Sequence, residues 1–145
     1  MAPVCALDTS CMVAAVSVWY EQHRAAAAEI ERRLENGERL SVAAHALSEA
    51  YAVLTRLPAP HRLAPRDAWA VLRANFTDGV LVVALSARQH VALLHRLAKE
   101  GVSGGRAYDA VIGECAVRAG ASTLLTFNKR HFEPPPQDLV IVVPA

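Results

Sequence analysis

Cysteine, excess charge and long apolar runs are scarce in this sequence, and each shortage excludes a class of protein. The three cysteines among 145 residues are odd in number and lack CxxC spacing, which argues against a disulfide framework and a thiolate zinc site. No uncharged apolar stretch reaches the roughly 18 residues that span a bilayer, and the first residues lack the basic region of a signal peptide. We therefore expect a cytoplasmic protein with reduced thiols and no membrane partner.

The signature loops of several enzyme classes are also missing. The sequence contains no GxSxG, Walker A or GxGxxG pattern, which disfavours a serine hydrolase, a P-loop protein and a dinucleotide-binding protein. It has no HExxH motif, and His90 and His95 are too far out of phase to share one helical face. A zinc enzyme is therefore disfavoured as well.

Charge is nearly balanced, whereas apolar residues are abundant. The formal net charge is +1, so no global basic field marks a nucleic-acid-binding protein, and any such surface must be local. Hydrophobic residues make up 53% of the chain, with seven glycines and eight prolines, which is typical of a folded protein rather than a disordered one. We predict a single domain that comprises residues 1–145.

Short apolar runs alternate with segments of helical character. We predict strands at residues 4–7, 40–43, 80–84, 122–126 and 139–143, and helices at 11–36, 44–56, 65–76, 86–101 and 106–119. Continuous apolar runs are typical of strands that are buried on both faces of a parallel sheet. The predicted fold class is therefore α/β, a three-layer α/β/α sandwich with a central parallel sheet of about four to five strands.

Three acidic residues fall where a site is expected in such a fold, beyond the carboxyl ends of the strands. Asp8 directly follows the first strand, although an aspartate there also commonly caps the next helix. Glu49 lies among largely apolar helical neighbours, where a carboxylate is unfavourable unless it is paired or bound to a metal, and an ion pair with Arg56 or Arg24 is the alternative. Asp109 lies near the start of a helix, where the helix dipole alone also favours an acid.

The ligand types in this set favour a hard cation. Asn128 follows the fourth predicted strand, and its amide oxygen is a possible hard ligand, although it could equally be a turn residue. Carboxylates without paired histidines or thiolates favour Mg²⁺ or Mn²⁺ over zinc. Glu114 points about 140° away from Asp109 around the helix, so we expect it to pair with Arg118 instead.

The stretches VCALDTS, AHALSEAYAVL and GGRAYDAVIGECAVRAGASTLLTFNKRHF occur in this order along the chain. Together they resemble the PIN-domain family, and in particular the VapC-type toxins of bacterial type II toxin–antitoxin pairs. The last stretch is the most specific, because an Asp-Ala-x-Ile helix, a Gly-Ala turn, a strand and Thr-x-Asn-x-x-x-Phe recur together in that family. The resemblance covers essentially the whole chain.

The resemblance implies an activity: Mg²⁺-dependent endonucleolytic cleavage of RNA phosphodiester bonds by metal-activated water, with Mn²⁺ as a substitute for Mg²⁺. The residues that correspond to the family's catalytic positions are Asp8, Glu49, Asp109 and Asn128. The first three would bind the metal, and Ser10 corresponds to a supporting hydroxyl beside the first aspartate. Many relatives have a further acid where Asn128 or His131 stands, and this chain has no acid at either position.

An RNA substrate requires cations near the site. The segment between Glu114 and Glu133 contains no acid and carries the main local group of basic residues, namely Arg118, Lys129, Arg130 and His131. A solvated surface without function is an equal alternative for this patch. Arg106, at the start of the Asp109 helix, is a second candidate for contact with RNA. Aromatic residues in the predicted helices, Trp19, Tyr51, Trp69 and Phe76, have core-like spacing and are expected to pack inside.

The resemblance also implies partners, a VapB-like antitoxin that covers the site and a second copy of the chain in a homodimer. Three other functions fit less well. A phosphohydrolase with Asp8 as covalent nucleophile would usually have an acid where Ser10 stands. A PIN-like RNA- or protein-binding module with weakened catalysis is favoured only by the missing fourth acid, and a flap-type DNA nuclease would have further carboxylates and greater length.

Overall fold

A parallel sheet forms the centre of the molecule. The computed structural model describes residues 2–136 and 138–145. In these residues the sheet has five strands in the order β3-β2-β1-β4-β5, and every neighbouring pair is parallel. The strands are β1 (Val4–Leu7), β2 (Arg39–Ala43), β3 (Leu81–Val83), β4 (Ala121–Leu125) and β5 (Val140–Val142). The predicted α/β class and the predicted parallel sheet are confirmed.

Helices connect these strands and cover the sheet. Within the described residues they are α1 (Thr9–Val16), α2 (His23–Glu35), α3 (Ala44–Arg56), α4 (Pro65–Phe76), α5 (Ala87–Glu100) and α6 (Arg106–Arg118), with a 3-10 turn at Lys129–Phe132. Helix α6 packs on β2 and β4, near the middle of the sheet, and α3 packs on both α1 and α6. The predicted three-layer arrangement is therefore confirmed. None of the helices in the described residues is long and apolar enough to cross a membrane.

Local sequence signals explain where several helices begin and end. Pro65 occupies the first turn of α4, where its missing N–H is not needed. Ser86 and Gln89 form a capping box at the start of α5, and Gly101 ends that helix in the left-handed conformation at φ 72°. The predicted helix 44–56 and the predicted helix 65–76 have the same bounds as α3 and α4.

The predicted continuous helix at residues 11–36 is wrong, because the chain forms two helices separated by a turn. Helix α1 ends at Val16 and α2 begins at His23. The carbonyl oxygen of Ala14 accepts a hydrogen bond from the backbone N–H of Ser17, and it lies 2.9 Å from Nδ1 of the His23 ring. These contacts replace the bond that a continuing helix would form, so a side chain beyond the turn stabilises the break.

Four aromatic side chains were predicted to pack in the core, and the prediction is wrong for three of them. Phe76 is buried as expected, but Trp19, Tyr51 and Trp69 are 46%, 38% and 49% exposed. Trp19 lies in the turn between α1 and α2 rather than in a helix. Tyr51 and Trp69 each follow a buried alanine by one position, and a step of one residue rotates a side chain about 100° away from the buried face.

The three cysteines are free and buried.

We expect Ser86→Ala to lower the free energy of unfolding by about 1 kcal/mol, because the backbone N–H of Gln89 loses its capping oxygen. The measurement is urea unfolding at neutral pH. Ser86→Asp is the control, since its carboxylate oxygen can accept the same bond. If Ser86→Ala and Ser86→Asp unfold at the same urea concentration as the unchanged chain, the cap contributes nothing.

Candidate active site

The candidate active site lies at the carboxyl end of the sheet, where the neighbouring strands β1 and β4 finish side by side. Leu7 is paired with Leu125 across these strands. The next residues, Asp8 and Thr126, are therefore adjacent, and the backbone N–H of Asp8 donates to the carbonyl oxygen of Leu125 at 3.1 Å. The parallel register thus places a carboxylate and a hydroxyl together at this edge.

Asp8 is held by three hydrogen bonds and is only 3% exposed. Its Oδ1 accepts from the hydroxyl of Ser10 at 2.7 Å and from the backbone N–H of Cys11 at 3.0 Å. Its Oδ2 accepts from the hydroxyl of Thr126 at 2.5 Å. Asp8 is therefore the N-cap of α1, as the alternative interpretation predicted, and it is also the most deeply buried acid that lines the cleft.

The loop after β4 is fastened to the same group of side chains. The hydroxyl oxygen of Ser10 accepts from the backbone N–H of Phe127 at 3.1 Å, and the hydroxyl oxygen of Thr126 accepts from the backbone N–H of Asn128 at 2.9 Å. Each hydroxyl both donates to Asp8 and accepts from this loop. The position of Asn128 at the site therefore depends on the buried carboxylate.

Glu49 reaches the site from α3. Its Oε1 accepts from the hydroxyl of Thr9 at 3.0 Å and lies 3.3 Å from Nε2 of His45. The distance between Oε1 of Glu49 and Nε2 of His45 is short enough for an ion pair. Nε2 of His45 is nevertheless buried without a hydrogen-bond partner among the described residues, so the two side chains form a close polar contact and not a hydrogen bond. Neither Arg24 nor Arg56 pairs with Glu49 in the described part of the chain, so that alternative is not supported.

Asp109 completes the set of acids from the first turn of α6. Its Oδ2 lies 3.2 Å from Nδ1 of His131, a half-exposed side chain of the 3-10 turn. Burial raises the pKa of Asp109, the negative charges of Asp8 and Glu49 raise it further, and His131 and Arg106 oppose the shift. Burial also raises the pKa of Asp8, despite the hydrogen bonds that lower it. The three carboxylates therefore act in one electrostatic field.

These groups line one cleft of about 540 Å³. The residues named from the sequence that line it are Asp8, Ser10, Glu49, Arg106, Asp109, Asn128 and His131. Lys129 and Arg130 are exposed on the adjoining 3-10 turn and are not among the residues that line the cleft. The Nη2 atom of Arg106 donates to the carbonyl oxygens of Arg130 and Glu133, so this residue also ties α6 to the turn.

Part of the predicted basic patch is occupied by ion pairs. Nε of Arg118 lies 3.3 Å from Glu114, as predicted, and Nη2 of Arg96 lies 3.5 Å from the same carboxylate. Glu114 is therefore a structural partner rather than a fourth site acid. In the described part of the chain, the cations at or beside the cleft are therefore Arg106 and those of the 3-10 turn.

The donor set of the cleft fits a hard divalent cation in chemistry. Its acidic residues supply carboxylate oxygens, which are the ligands that Mg²⁺ and Mn²⁺ prefer. Among the described residues no three acids, histidines or cysteines converge closely enough to form a ready metal site. The residues therefore surround a common space without closing on its centre.

Sequence reasoning missed several residues that contact the acids. Thr126 and Thr9 each stand next to a recognised residue or motif, and His45 precedes Glu49 by one helical turn, so these could have been inferred. His131 had been named from the sequence, in the basic patch and at a position where many relatives have an acid, but its contact with Asp109 depends on how the 3-10 turn packs against α6. Tyr108 also lines the cleft and was not identified.

Comparisons with known proteins agree with this fold. The sequence profile of the PIN domain matches residues 5–135. Ribonuclease VapC40 of Mycobacterium tuberculosis is 44% identical over 126 residues, which are 87% of this chain and 87% of that protein. The solved structure of M. tuberculosis VapC20, described as a sarcin-ricin loop cleaving toxin, is similar with a TM-score of 0.69, at 18% identity over 92% of this chain and 97% of that one.

A further solved structure has the same fold within a complex. It is VapBC2 from Rickettsia felis, bound to a DNA fragment from the promoter of that pair. The TM-score is 0.67 at 18% identity, and the similarity covers 97% of this chain and 98% of the matched one. At that identity the similarity concerns the fold alone.

We expect Asp109→Asn to raise the free energy of unfolding of the metal-free protein at neutral pH. The pKa of Asp109 is raised above its ordinary value of 3.8, so the folded state holds this proton more tightly than the unfolded state does. Ionisation therefore lowers stability above the raised pKa, and the gain from asparagine shrinks as the pH falls through that pKa towards the ordinary value. The measurement is urea unfolding in EDTA at pH values from neutral down to the ordinary pKa of 3.8.

Glu114→Gln is the matched control on the same helix, and it should lower stability because Glu114 is paired with two arginines. The contrary result is that Asp109→Asn unfolds at a lower urea concentration than the unchanged chain at neutral pH. That result would mean that the contact of Asp109 with His131 stabilises the fold by more than the burial of Asp109 and its repulsion from Asp8 and Glu49 destabilise it.

Proposed function

This chain belongs to the PIN-domain family, and on that premise we propose that it is a VapC-type endoribonuclease that hydrolyses phosphodiester bonds of RNA. The observation that carries the proposal is the meeting of Asp8, Glu49 and Asp109, from three distant segments, in one cleft. The name of the 44%-identical relative, a ribonuclease, supports the same chemistry. The resemblance noted from the sequence motifs points to RNA as well.

We propose Mg²⁺ as the cofactor, with Mn²⁺ as a substitute, held by Asp8, Asp109 and Glu49. When bound, such a cation lowers the pKa of water and neutralises charge that develops on the phosphate. A carboxylate has about four lone-pair directions, and three of those on Asp8 already accept hydrogen bonds. Asp8 therefore presents a fixed carboxylate with about one acceptor direction left, on Oδ2.

The other residues have roles that follow from their exposure. Glu49 is more open to solvent than Asp8 and accepts a bond from Thr9, so it is suited to orient a water molecule beside the phosphate. Asn128 offers an amide that lines the cleft, and the hydroxyl of Ser10 supports Asp8. We propose that Arg106, Lys129 and Arg130 contact the RNA backbone, since cations next to the cleft position phosphates without reading sequence.

We also propose a partner, a VapB-like antitoxin, together with a homodimer of this chain. The fold is shared with a solved VapBC complex, and several large apolar side chains are exposed on the described surface. An RNA substrate and free cysteines favour a cytoplasmic location.

A second candidate function is a PIN-like RNA- or protein-binding module with weakened catalysis. One observation favours it: the fourth site position carries Asn128 or His131 rather than an acid. The two functions predict different results with RNA, since the module would bind RNA or protein without cutting RNA in the presence of a divalent cation.

We expect the purified chain with Mg²⁺ or Mn²⁺ to cut a panel of structured RNAs, including transfer RNAs, at discrete positions. Asp8→Asn should lower the rate at least about a hundredfold, which corresponds to about 2.7 kcal/mol of transition-state stabilisation. EDTA should abolish cutting, and Glu114→Gln, which keeps the cleft intact, should cut normally. Cutting that survives both EDTA and Asp8→Asn would point to a contaminating nuclease.

Metal binding is tested independently of cleavage by thermal unfolding. We expect Mg²⁺ or Mn²⁺ at about 100 times its dissociation constant to stabilise the chain by about 2.7 kcal/mol and to raise Tm by several degrees. Asp8→Asn and Asp109→Asn should lose most of this shift, whereas Glu114→Gln should retain it. An equal shift in all variants would place the cation elsewhere.

A further inference from the structure

An aromatic side chain in the cleft has no structural explanation so far. Tyr108 directly precedes Asp109 on α6 and lines the cleft with the acids, yet it is 55% exposed. A core role is excluded by that exposure, because a buried tyrosine stabilises a protein through the area that it removes from water. The residue therefore presents a large ring to the space where a ligand would lie.

The ring of Tyr108 is backed by a second ring. His45 of α3 stacks on it with ring centroids 5.2 Å apart and an angle of 17° between the planes. The Nε2 atom of His45 lies 3.3 Å from the carboxylate of Glu49, one helical turn further along α3. The same imidazole thus contacts a site acid with its edge and Tyr108 with its face, which ties the orientation of the tyrosine to the catalytic groups.

We propose that Tyr108, backed by His45, is a stacking platform for an unpaired nucleobase next to the phosphate that is cut. This inference rests on the proposed ribonuclease function and specifies its substrate. One face of the tyrosine ring is stacked on His45, and the residue keeps 55% of its surface exposed while it lines the cleft. Every nucleobase has a flat π-face, and stacking on an aromatic side chain contributes about 1–3 kcal/mol per base.

Because Tyr108 lies beside the acids, it would hold a nucleotide next to the phosphate that is cut. Tyr108 and Asp109 are adjacent in sequence on the first turn of α6 and line the same cleft. A base stacked on Tyr108 therefore has its own phosphate close to the carboxylates. Bases within a duplex are already stacked on each other, so the platform selects RNA loops, bulges or single strands over continuous duplex.

The experiment compares RNA strands that differ only at one nucleotide. If the chain cuts an RNA, that RNA is made with an abasic residue at each position in turn near the cut. If no cut is found, a mixed-sequence single strand is made with an abasic residue at each position in turn. Binding is measured by fluorescence anisotropy in the Asp8→Asn background, which does not depend on cleavage, and kcat/KM is measured in the otherwise unchanged chain. The variants are Tyr108→Ala, Tyr108→Phe and, as a matched exposed aromatic outside the cleft, Trp69→Ala.

We expect Tyr108→Ala to weaken binding of intact RNA by roughly 5- to 150-fold, the equivalent of 1–3 kcal/mol, whereas Tyr108→Phe and Trp69→Ala bind as the parent does. One abasic position should weaken the parent by a similar factor, and Tyr108→Ala should add no further loss on that strand. His45 acts as a positioning residue, so His45→Phe should retain this dependence on the base and His45→Ala should reduce it.

Three results would overturn the platform. If Tyr108→Ala loses the same factor on intact RNA and on every abasic strand, the ring does not contact a base. If Tyr108→Phe loses as much as Tyr108→Ala, the hydroxyl rather than the ring is used. If neither variant changes binding, the exposed ring belongs to another surface, such as one for a protein partner. Base-dependent binding without any cleavage would retain the platform and reject the ribonuclease.

Discussion

The buried carboxylate of Asp8 is the group on which the rest of the site depends. It accepts hydrogen bonds from the start of α1, from Ser10 and from Thr126, so it joins one helix to the ends of two neighbouring strands. A carboxyl group taken out of water requires hydrogen-bond partners, and these partners also hold the backbone of Phe127 and Asn128. The hydrogen bonds that this one buried group needs therefore shape one wall of the cleft.

The cleft brings the acidic side chains Asp8, Glu49 and Asp109 into one electrostatic environment. Burial raises the pKa of Asp8 and Asp109, and the nearby carboxylates raise that of Asp109 further. Holding charges in this way lowers the stability of the folded state, and proteins retain such sites where the charge serves a function. The electrostatics, the PIN-domain fold and the proposed metal-dependent chemistry therefore agree. The aromatic pair beside the acids adds a surface that suits a base rather than a phosphate.

Much of the fold could be predicted because its signals are local. Apolar runs mark all five strands, and Pro65, Ser86 and Gly101 mark helix ends through backbone chemistry that involves only their neighbours. The failures have a different origin. The break between α1 and α2 is stabilised by the ring of His23, which contacts the carbonyl oxygen of Ala14 from beyond the turn, and such a contact leaves no local signal in the sequence. The exposure of Tyr51 and Trp69 depends on which face of each helix meets the core, and a shift of one position moves a side chain off that face.

The sequence by itself determined which groups are available to the site and roughly where they lie. Asp8 follows a buried strand, and parallel strands end at one edge whatever the details of the loops. Only the tertiary structure decided which side chains touch the acids. His131 reaches Asp109 because the 3-10 turn packs against α6, and His45 stacks on Tyr108 because α3 packs against α6. Packing between helices is set by the whole core at once, so it leaves no periodic trace in any one segment.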